Sequence, residues 1–299
     1  MLEKTQILWR PAGVNLPSLG SKSLIDVSDG DTPNIRMPIR MLFIDTPEIT
    51  ARSDARAATI DSNFTTLAEW VRAGIVPISK RFADYILPKL ASGNAGTLQF
   101  TQGKQASKFH KDIIEERLSK PNSDNKRSLF VRVAEPPFDG YGRLLAYVSP
   151  SYTRTERQNM PRHERATFNL NLVESGWAAP FILFPNIPGE LDLPLFLEAA
   201  VQAKEQKKGQ YQDALSLPGY EYRMCEKLYT LTKKIVEGES VSPRQRLSWR
   251  SRYCADMRSR EIFDPESYFE IPEPYRLWIW PDDIQRAVGM LNLIPSHIA

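Results

Sequence analysis

Two short apolar segments near the start of the chain are each closed by residues that end strands. Leu24–Val27 is mostly apolar and precedes a run rich in Asp, Gly and Pro at residues 29–33, which predicts a strand followed by a turn. Residues 39–44 form a second apolar segment that only Arg40 interrupts. Because Pro47 lacks a backbone N–H and disfavours the helical conformation in the residue before it, this second strand is expected to end just before that proline.

Further along, apolar residues recur at the spacing of amphipathic helices. Between residues 51 and 100 this pattern predicts mainly helix, with a loop at 92–96. Three later helices are predicted at about 103–119, through 170–173 with an end at Gly176, and at about 195–212.

A β-hairpin is the plainest local prediction in the chain. Residues 129–133 and 143–148 are apolar segments, and the second follows directly on the Asp-Gly-Tyr-Gly turn at 139–142. Strands that alternate with helices in this way favour an α+β fold, with a small barrel and attached helices, over a doubly wound sheet.

Beyond residue 213 the composition changes. Six arginines crowd into 244–260 together with Trp249 and Tyr253, and acidic residues dominate 261–283 around the aromatic block at 278–280. We interpret 213–299 as a small, mainly helical C-terminal unit in which the arginines pair with the acidic stretch. The alternative, that the arginines and aromatic residues bind nucleic acid, stays open at this stage.

Composition narrows the class of protein more than it identifies a function. Of 299 residues, 41% are apolar and 25% charged, which is typical of a soluble globular protein. The net charge of +3 is compatible with a polyanionic partner but does not argue for one. No apolar run approaches the roughly 18–20 residues that span a bilayer, no secretory signal is recognisable, and two cysteines cannot form a disulfide framework. We therefore expect a cytoplasmic protein with reduced thiols and no membrane partner.

Candidate chemistry begins with the acidic residues at the ends of the first strands. Asp45 stands where the second strand ends, and Asp31 occupies a turn that a sheet can bring beside it. Two carboxylates and the Thr46 carbonyl suit a hard cation such as calcium, which takes six to eight oxygen ligands. Glu48 can accept a proton from an attacking water or orient it. Taken singly, a solvated turn at Asp31 and a surface or helix-capping position for Glu48 are the more ordinary interpretations.

Two arginines add a phosphate-binding element. Arg40 lies five residues before Asp45, so in a flat strand their side chains would point to opposite faces, and a bulge or bend must reconcile them. Arg143 opens the strand after the Tyr-Gly turn. Guanidinium groups grip phosphate oxygens and offset the charge of a phosphoryl-transfer transition state, although a salt bridge is the ordinary alternative for either one.

Several sequence blocks follow one another at compatible spacing. They are Asp-Gly-Asp-Thr at 29–32, Arg-Met-Leu-Phe-Ile-Asp-Thr-Pro-Glu at 40–48, Gly-Lys-Gln-Ala-Ser at 103–107, Asp-Gly-Tyr-Gly-Arg-Leu-Leu-Ala-Tyr at 139–147, Leu-Val-Glu-Ser-Gly-Trp-Ala at 172–178 and Ala-Lys-Glu-Gln-Lys-Lys-Gly at 203–209. In this order they closely resemble the staphylococcal nuclease (thermonuclease) family, over about residues 21–212.

The resemblance implies a five-stranded OB-fold barrel with packed helices and calcium-assisted hydrolysis of DNA or RNA. Position by position, it implies metal ligation by Asp31, Asp45 and the Thr46 carbonyl, phosphate binding by Arg40 and Arg143, a general base at Glu48, and substrate contacts from Tyr141 and Phe181. The predicted domains are then an N-terminal extension at 1–20, the nuclease-like domain at 21–212 with a helical insertion at about 51–100, and the C-terminal unit at 213–299.

Some positions depart from the family pattern. Phe181 and Leu183 stand where the family has tyrosines, and Gly140 replaces a lysine, so the substrate profile is expected to differ. The competing hypothesis is a catalytically weak nucleic-acid-binding module with an interaction domain at its C-terminus. The presence of the acidic residues, both arginines and Glu48 favours the nuclease.

Overall fold

The computed structural model describes residues 19–120 and 123–295. The chain divides into two compact units, one formed by Met1–Arg40 and Val133–Ala146 and the other by Met41–Arg132 and Tyr147–Ala299. Of the predicted N-terminal extension, residues 1–18 lie outside the described residues.

The first unit contains the predicted strand and turn near the start of the chain. β1 (Ser23–Asp29) pairs antiparallel with β2 (Thr32–Arg36), with Asp29 opposite Thr32. The turn between them places Asp31 at its tip, where its Oδ1 accepts a hydrogen bond from the Thr32 hydroxyl at 3.0 Å. The side chains of this hairpin are largely exposed.

The apolar segment at 39–44 forms two strands instead of the single one predicted. β3 (Ile39–Met41) and β4 (Phe43–Asp45) are separated at Leu42, and Phe43 has a φ of +65°. A non-glycine residue with positive φ breaks a regular ladder, so the chain bends here, which is the kind of irregularity that the spacing of Arg40 and Asp45 requires. β4 ends at Asp45, just before Pro47, as predicted.

The predicted hairpin is present as β5 (Leu129–Phe138) and β6 (Leu144–Pro150), joined by the turn at 139–142. The Gly142 N–H donates to the Asp139 carbonyl at 2.9 Å and closes the turn. β3, β6 and β5 form a three-stranded sheet in that order.

Helices are the predominant regular structure of the second unit. They are α1 (Asp54–Arg72), α2 (Lys80–Leu90), α3 (Ala95–Leu118), α4 (Arg154–Asn159), α5 (Phe168–Glu174), α6 (Leu193–Glu205), α7 (Gly219–Val236), α8 (Pro243–Arg246) and α9 (Ile284–Leu291). Ser53 and Ser79 cap α1 and α2 by accepting hydrogen bonds from backbone N–H groups of the first turn. The helical content predicted for 51–100 is confirmed, but α3 begins at Ala95 and not near residue 103, because the Asp61 carboxylate accepts from the N–H groups of Gly96 and Thr97.

A six-stranded sheet contains strands from before residue 213 and strands from the C-terminal part after it. Its remaining strands are β7 (Ala179–Leu183), β8 (Tyr253–Asp256), β9 (Glu261–Phe263), β10 (Arg276–Ile279) and β11 (Ile294–Pro295), in the order β11-β9-β8-β10-β7-β4. β4 runs antiparallel to β7 with Asp45 opposite Ala179, and β10 runs parallel to β7 on its other side.

Residues after 213 supply about half of the main hydrophobic core. Phe82 stacks on Trp249 at 5.3 Å between ring centroids, and Phe181 stacks on Tyr220 at 5.6 Å. Because β10 pairs with β7 and these rings share one cluster, the separate C-terminal unit predicted from the sequence is not confirmed. The described residues after 213 contain four short strands besides α7, α8 and α9.

The α+β class is confirmed, whereas a closed five-stranded barrel is not. Strands of the described residues lie in separate sheets of two, six and three strands. Within the same residues, no helix is both long and apolar enough to cross a membrane.

Candidate active site

The first unit carries four of the predicted site residues. Asp31 lies at the tip of the β1–β2 turn, and Arg40 lies in β3 with a partly buried side chain. Tyr141 and Arg143 lie in and after the β5–β6 turn, where the Arg143 guanidinium is 5.4 Å from the centre of the Tyr141 ring. Tyr141 is 85% exposed, so its ring and the adjacent guanidinium face solvent.

Asp139 fixes the position of Arg143. Its Oδ1 accepts from the Arg143 backbone N–H at 3.0 Å, and its Oδ2 accepts from Nε and pairs with Nη2, both at 2.7 Å. Partial burial raises the pKa of Asp139, but these hydrogen bonds more than offset that effect and the pKa falls below its usual value. A charged carboxylate thus holds the guanidinium beside an exposed aromatic ring, an arrangement suited to a phosphate with an attached base.

The second unit carries Asp45, Thr46, Glu48 and Phe181, and here an unpredicted residue joins the site. Arg223, in the second turn of α7, donates from Nη2 to Oδ2 of Asp45 at 2.9 Å and from Nη1 to Oε1 of Glu48. The Asp45 side chain is 4% exposed, that of Glu48 23% and that of Arg223 34%. One guanidinium therefore bridges both predicted carboxylates.

The charge state of Arg223 follows from these contacts. Burial lowers the pKa of Arg223, but Asp45 and Glu48 more than offset this by charge attraction and hydrogen bonding, and the pKa rises above its usual value. Arg223 is consequently a permanent cation at this position.

Gly219, the first residue of α7, packs against the two predicted metal ligands Asp45 and Thr46. A Cβ atom built on Gly219 would be 2.5 Å from the Thr46 carbonyl oxygen and 2.7 Å from Oδ2 of Asp45. Only glycine allows the helix to begin this close to the end of β4.

The Glu48 loop is held from its other side by α3. A Cβ on Gly103 would be 2.9 Å from the carbonyl oxygens of Pro47 and Glu48, so helix and loop backbones are in contact. With its amide oriented to satisfy both neighbours, Gln99 accepts from the Glu48 N–H at 2.8 Å and donates to the Leu217 carbonyl at 2.9 Å. The loop is thus fixed between α3 and the segment that leads into α7.

Phe181 is placed differently from its predicted role in substrate binding. Its side chain is 9% exposed and lies in the aromatic core. The Phe181 ring stacks against the ring of Tyr220, and the Arg252 guanidinium is 5.1 Å from the centre of the Phe181 ring. A ring in this position packs the core and has no open face on which a base could stack.

The comparison with protein families agrees with the sequence blocks. The model of the staphylococcal nuclease homologue family matches residues 38–213, more than half of the chain. The chain belongs to this family. A search of curated proteins found no match.

The family match includes Asp45, Thr46 and Glu48 but ends before α7. Gly219 and Arg223 therefore reach the site from outside the matched segment. Sequence reasoning missed both, because nothing in the local sequence separates Arg223 from the other arginines of the C-terminal part.

Calcium, the metal that membership of the staphylococcal nuclease family implies, does not fit this arrangement of Asp45 and Thr46. Their donor chemistry is suitable, but Oδ2 of Asp45 is bound to a guanidinium and α7 backbone covers the Thr46 carbonyl. The described residues also contain no group of three or more His, Cys, Asp or Glu side chains that could hold a metal ion.

Proposed function

We propose that this chain is a phosphodiesterase that cleaves nucleic acid. The observation that carries the proposal is the cluster of Asp45, Glu48 and Arg223, which places two acidic residues of the family-matched segment on one guanidinium. Membership of the staphylococcal nuclease family supplies the class of reaction.

In this proposal Glu48 is the general base that accepts a proton from the attacking water. Its Oε1 is engaged by Arg223, whereas Oε2 accepts no hydrogen bond from the described residues and its side chain is partly exposed. The water oxygen attacks phosphorus, its proton passes to Oε2, the P–O ester bond breaks, and the leaving oxygen takes a proton from solvent. The buried Asp45 carboxylate holds Arg223 in place.

Arg40 and Arg143 are proposed to bind the phosphate and to stabilise the additional negative charge of the transition state. Arg143 is preorganised for this by Asp139, and Tyr141 offers an exposed ring to the adjoining base. No step of this mechanism passes through a metal. The family resemblance implies calcium dependence, and the assay below compares calcium with EDTA to decide between that expectation and this metal-free mechanism.

The test is cleavage of single-stranded and double-stranded DNA and RNA by the full-length chain, in calcium and in EDTA. Arg143→Ala is expected to lower the rate about 10³-fold, because it removes one preorganised cation from the transition state. Arg154→Ala, which removes an exposed arginine at the start of α4, is the matched control and is expected to leave the rate unchanged. Full activity of Arg143→Ala would reject the assignment.

A second candidate function is a nucleic-acid-binding module without appreciable catalysis. The observation that favours it is again Arg223, which engages both carboxylates and leaves little room for substrate activation. Nucleic-acid binding without cleavage under every condition of the assay, with binding weakened by Arg143→Ala, would establish this alternative.

A further inference from the structure

We propose that Arg223 is the resident cation of the cluster formed by Asp45, Glu48 and Arg223, and that it replaces the calcium ion at Asp45, so that the Asp45 carboxylate is compensated without metal. The catalytic consequence rests on the proposed function, whereas the metal-binding consequence does not. Three features of the second unit carry the inference.

The first feature is charge compensation. Asp45 is 3% exposed, and burying a carboxylate without a paired cation costs several kcal/mol, on the order of the desolvation penalty of an ion. Arg223 supplies this cation and contacts Glu48 with its second terminal nitrogen, so a single planar group neutralises one carboxylate and orients the other. A metal ion would have to displace this pairing before it could bind.

The second feature is space. Calcium stays 2.3–2.6 Å from its oxygen ligands, roughly the distance that the Gly219 Cβ point keeps from the Thr46 carbonyl oxygen and Asp45 Oδ2 (2.5 and 2.7 Å). That point is one covalent bond from the Gly219 Cα atom. An ion bound there would overlap the backbone of α7, so this face of the two oxygens is closed.

The third feature is the anchoring of α7. The fully buried carboxylate of Glu221, two residues before Arg223, is 2.6 Å from Lys89 Nζ and accepts from the Tyr85 hydroxyl at the same distance. The Tyr220 hydroxyl oxygen accepts a hydrogen bond from Arg276 Nη1 at 2.6 Å. These interactions fix the position of α7, from which Arg223 extends. Arg223 is therefore held permanently beside Asp45 and Glu48.

The metal-binding arm of the test uses calcium alone as the probe. Calcium chloride is titrated by calorimetry into the wild-type chain and into Asp45→Asn, and the difference reports binding at Asp45. We expect no difference up to about 1 mM, the weak end of protein calcium affinities. Submillimolar binding that Asp45→Asn abolishes would overturn the proposal.

The stability arm tests whether Arg223 compensates Asp45. Arg223→Gln is expected to lower the melting temperature by about 3–6 °C, since it removes a cation that pairs with a buried carboxylate, while part of this ion pair is screened by solvent. Adding Asp45→Asn should restore most of this loss. Lys234→Gln, an exposed lysine on the same helix, is the control and should shift the melting temperature by less than about 1 °C.

A loss in Arg223→Gln that Asp45→Asn leaves unrelieved would overturn the compensation role, as would no loss at all. Both arms are independent of catalysis, so absence of cleavage would reject the proposed function while these results still decide the role of Arg223.

Discussion

Replacing Gly219 with alanine is the most direct perturbation of the contact between α7 and the end of β4. The new methyl group would lie 2.5 Å from the Thr46 carbonyl oxygen, 2.7 Å from Asp45 Oδ2 and 3.3 Å from Arg223 Nη1. The first neighbour is backbone and the second a buried carboxylate, so neither can move aside without disturbing β4 or the ion pair.

The expected magnitude follows from two opposing effects. Overpacking of a dense site costs about 1–3 kcal/mol, and weakening of the Asp45–Arg223 pair adds to it. Alanine is better than glycine in a helix by about 0.5–1 kcal/mol, which acts in the opposite direction. The net loss should therefore be about 2–3 kcal/mol in the free energy of unfolding, or about 4–10 °C in melting temperature.

Urea denaturation of the two alanine variants in EDTA provides the assay, with Gly289→Ala as the matched control. Gly289 lies inside α9 and a Cβ there would meet no atom within 4 Å, so only the helix preference acts and the control should be unchanged or slightly stabilised. If Gly219→Ala is also neutral or stabilising, α7 does not lie on the Thr46 carbonyl and the account of the site is wrong.

Two further predictions concern the carboxylates of Glu221, which anchors α7, and of Glu156 in α4. Glu221→Gln should destabilise the chain by about 3–5 kcal/mol in chemical denaturation, because it leaves Lys89 and Arg276 without their buried anion, and a loss below about 1 kcal/mol would contradict this. Hydrogen bonds from Arg127 and Thr153 lower the pKa of Glu156 from 4.5 to about 2, so its contribution to stability is complete above pH 4.5 and is lost as the pH falls towards 2. An NMR titration of the Glu156 carboxyl should have its midpoint near 2, and a midpoint near 4.5 would refute this pairing.

The burial of α7 shows whether this helix can move away from Asp45 and Thr46 to admit a ligand. Tyr220, Tyr222, Cys225, Leu228 and Leu231 are all at most 6% exposed. At about 1.5–3 kcal/mol for each large apolar side chain, withdrawing the helix would cost on the order of 10 kcal/mol. Binding of a ligand with millimolar affinity supplies only about 4 kcal/mol. Calcium that binds with millimolar affinity therefore cannot displace α7 from the site.

The parts of the fold that local sequence could predict are those that local chemistry determines. Pro47 ends β4 at Asp45, and the glycine turn at 139–142 produces the β5–β6 hairpin. Pairing of the C-terminal arginines with nearby acids was also predictable and is confirmed for Arg250, which contacts Asp264 at 3.3 Å and Glu266 at 3.1 Å.

The parts that escaped prediction depend on contacts between distant segments. The block at 278–280 looked like the centre of a separate unit, yet most of it belongs to β10, which pairs in parallel with β7. Arg223 reaches Asp45 across 178 residues of sequence. Neither contact leaves a periodic or compositional signal, because each depends on how completed elements pack. Phe181 likewise matched a family position while its surroundings, supplied by the C-terminal part, place it in the core.

The rate of nucleic-acid cleavage by the wild-type chain in excess EDTA, divided by the rate in calcium, tests the central claim most directly. A phosphodiesterase in which Arg223 pairs with Asp45 in place of a metal ion should give a ratio near one, and Arg143→Ala should lower the rate about 10³-fold in both conditions. Cleavage that occurs only in calcium would contradict the account.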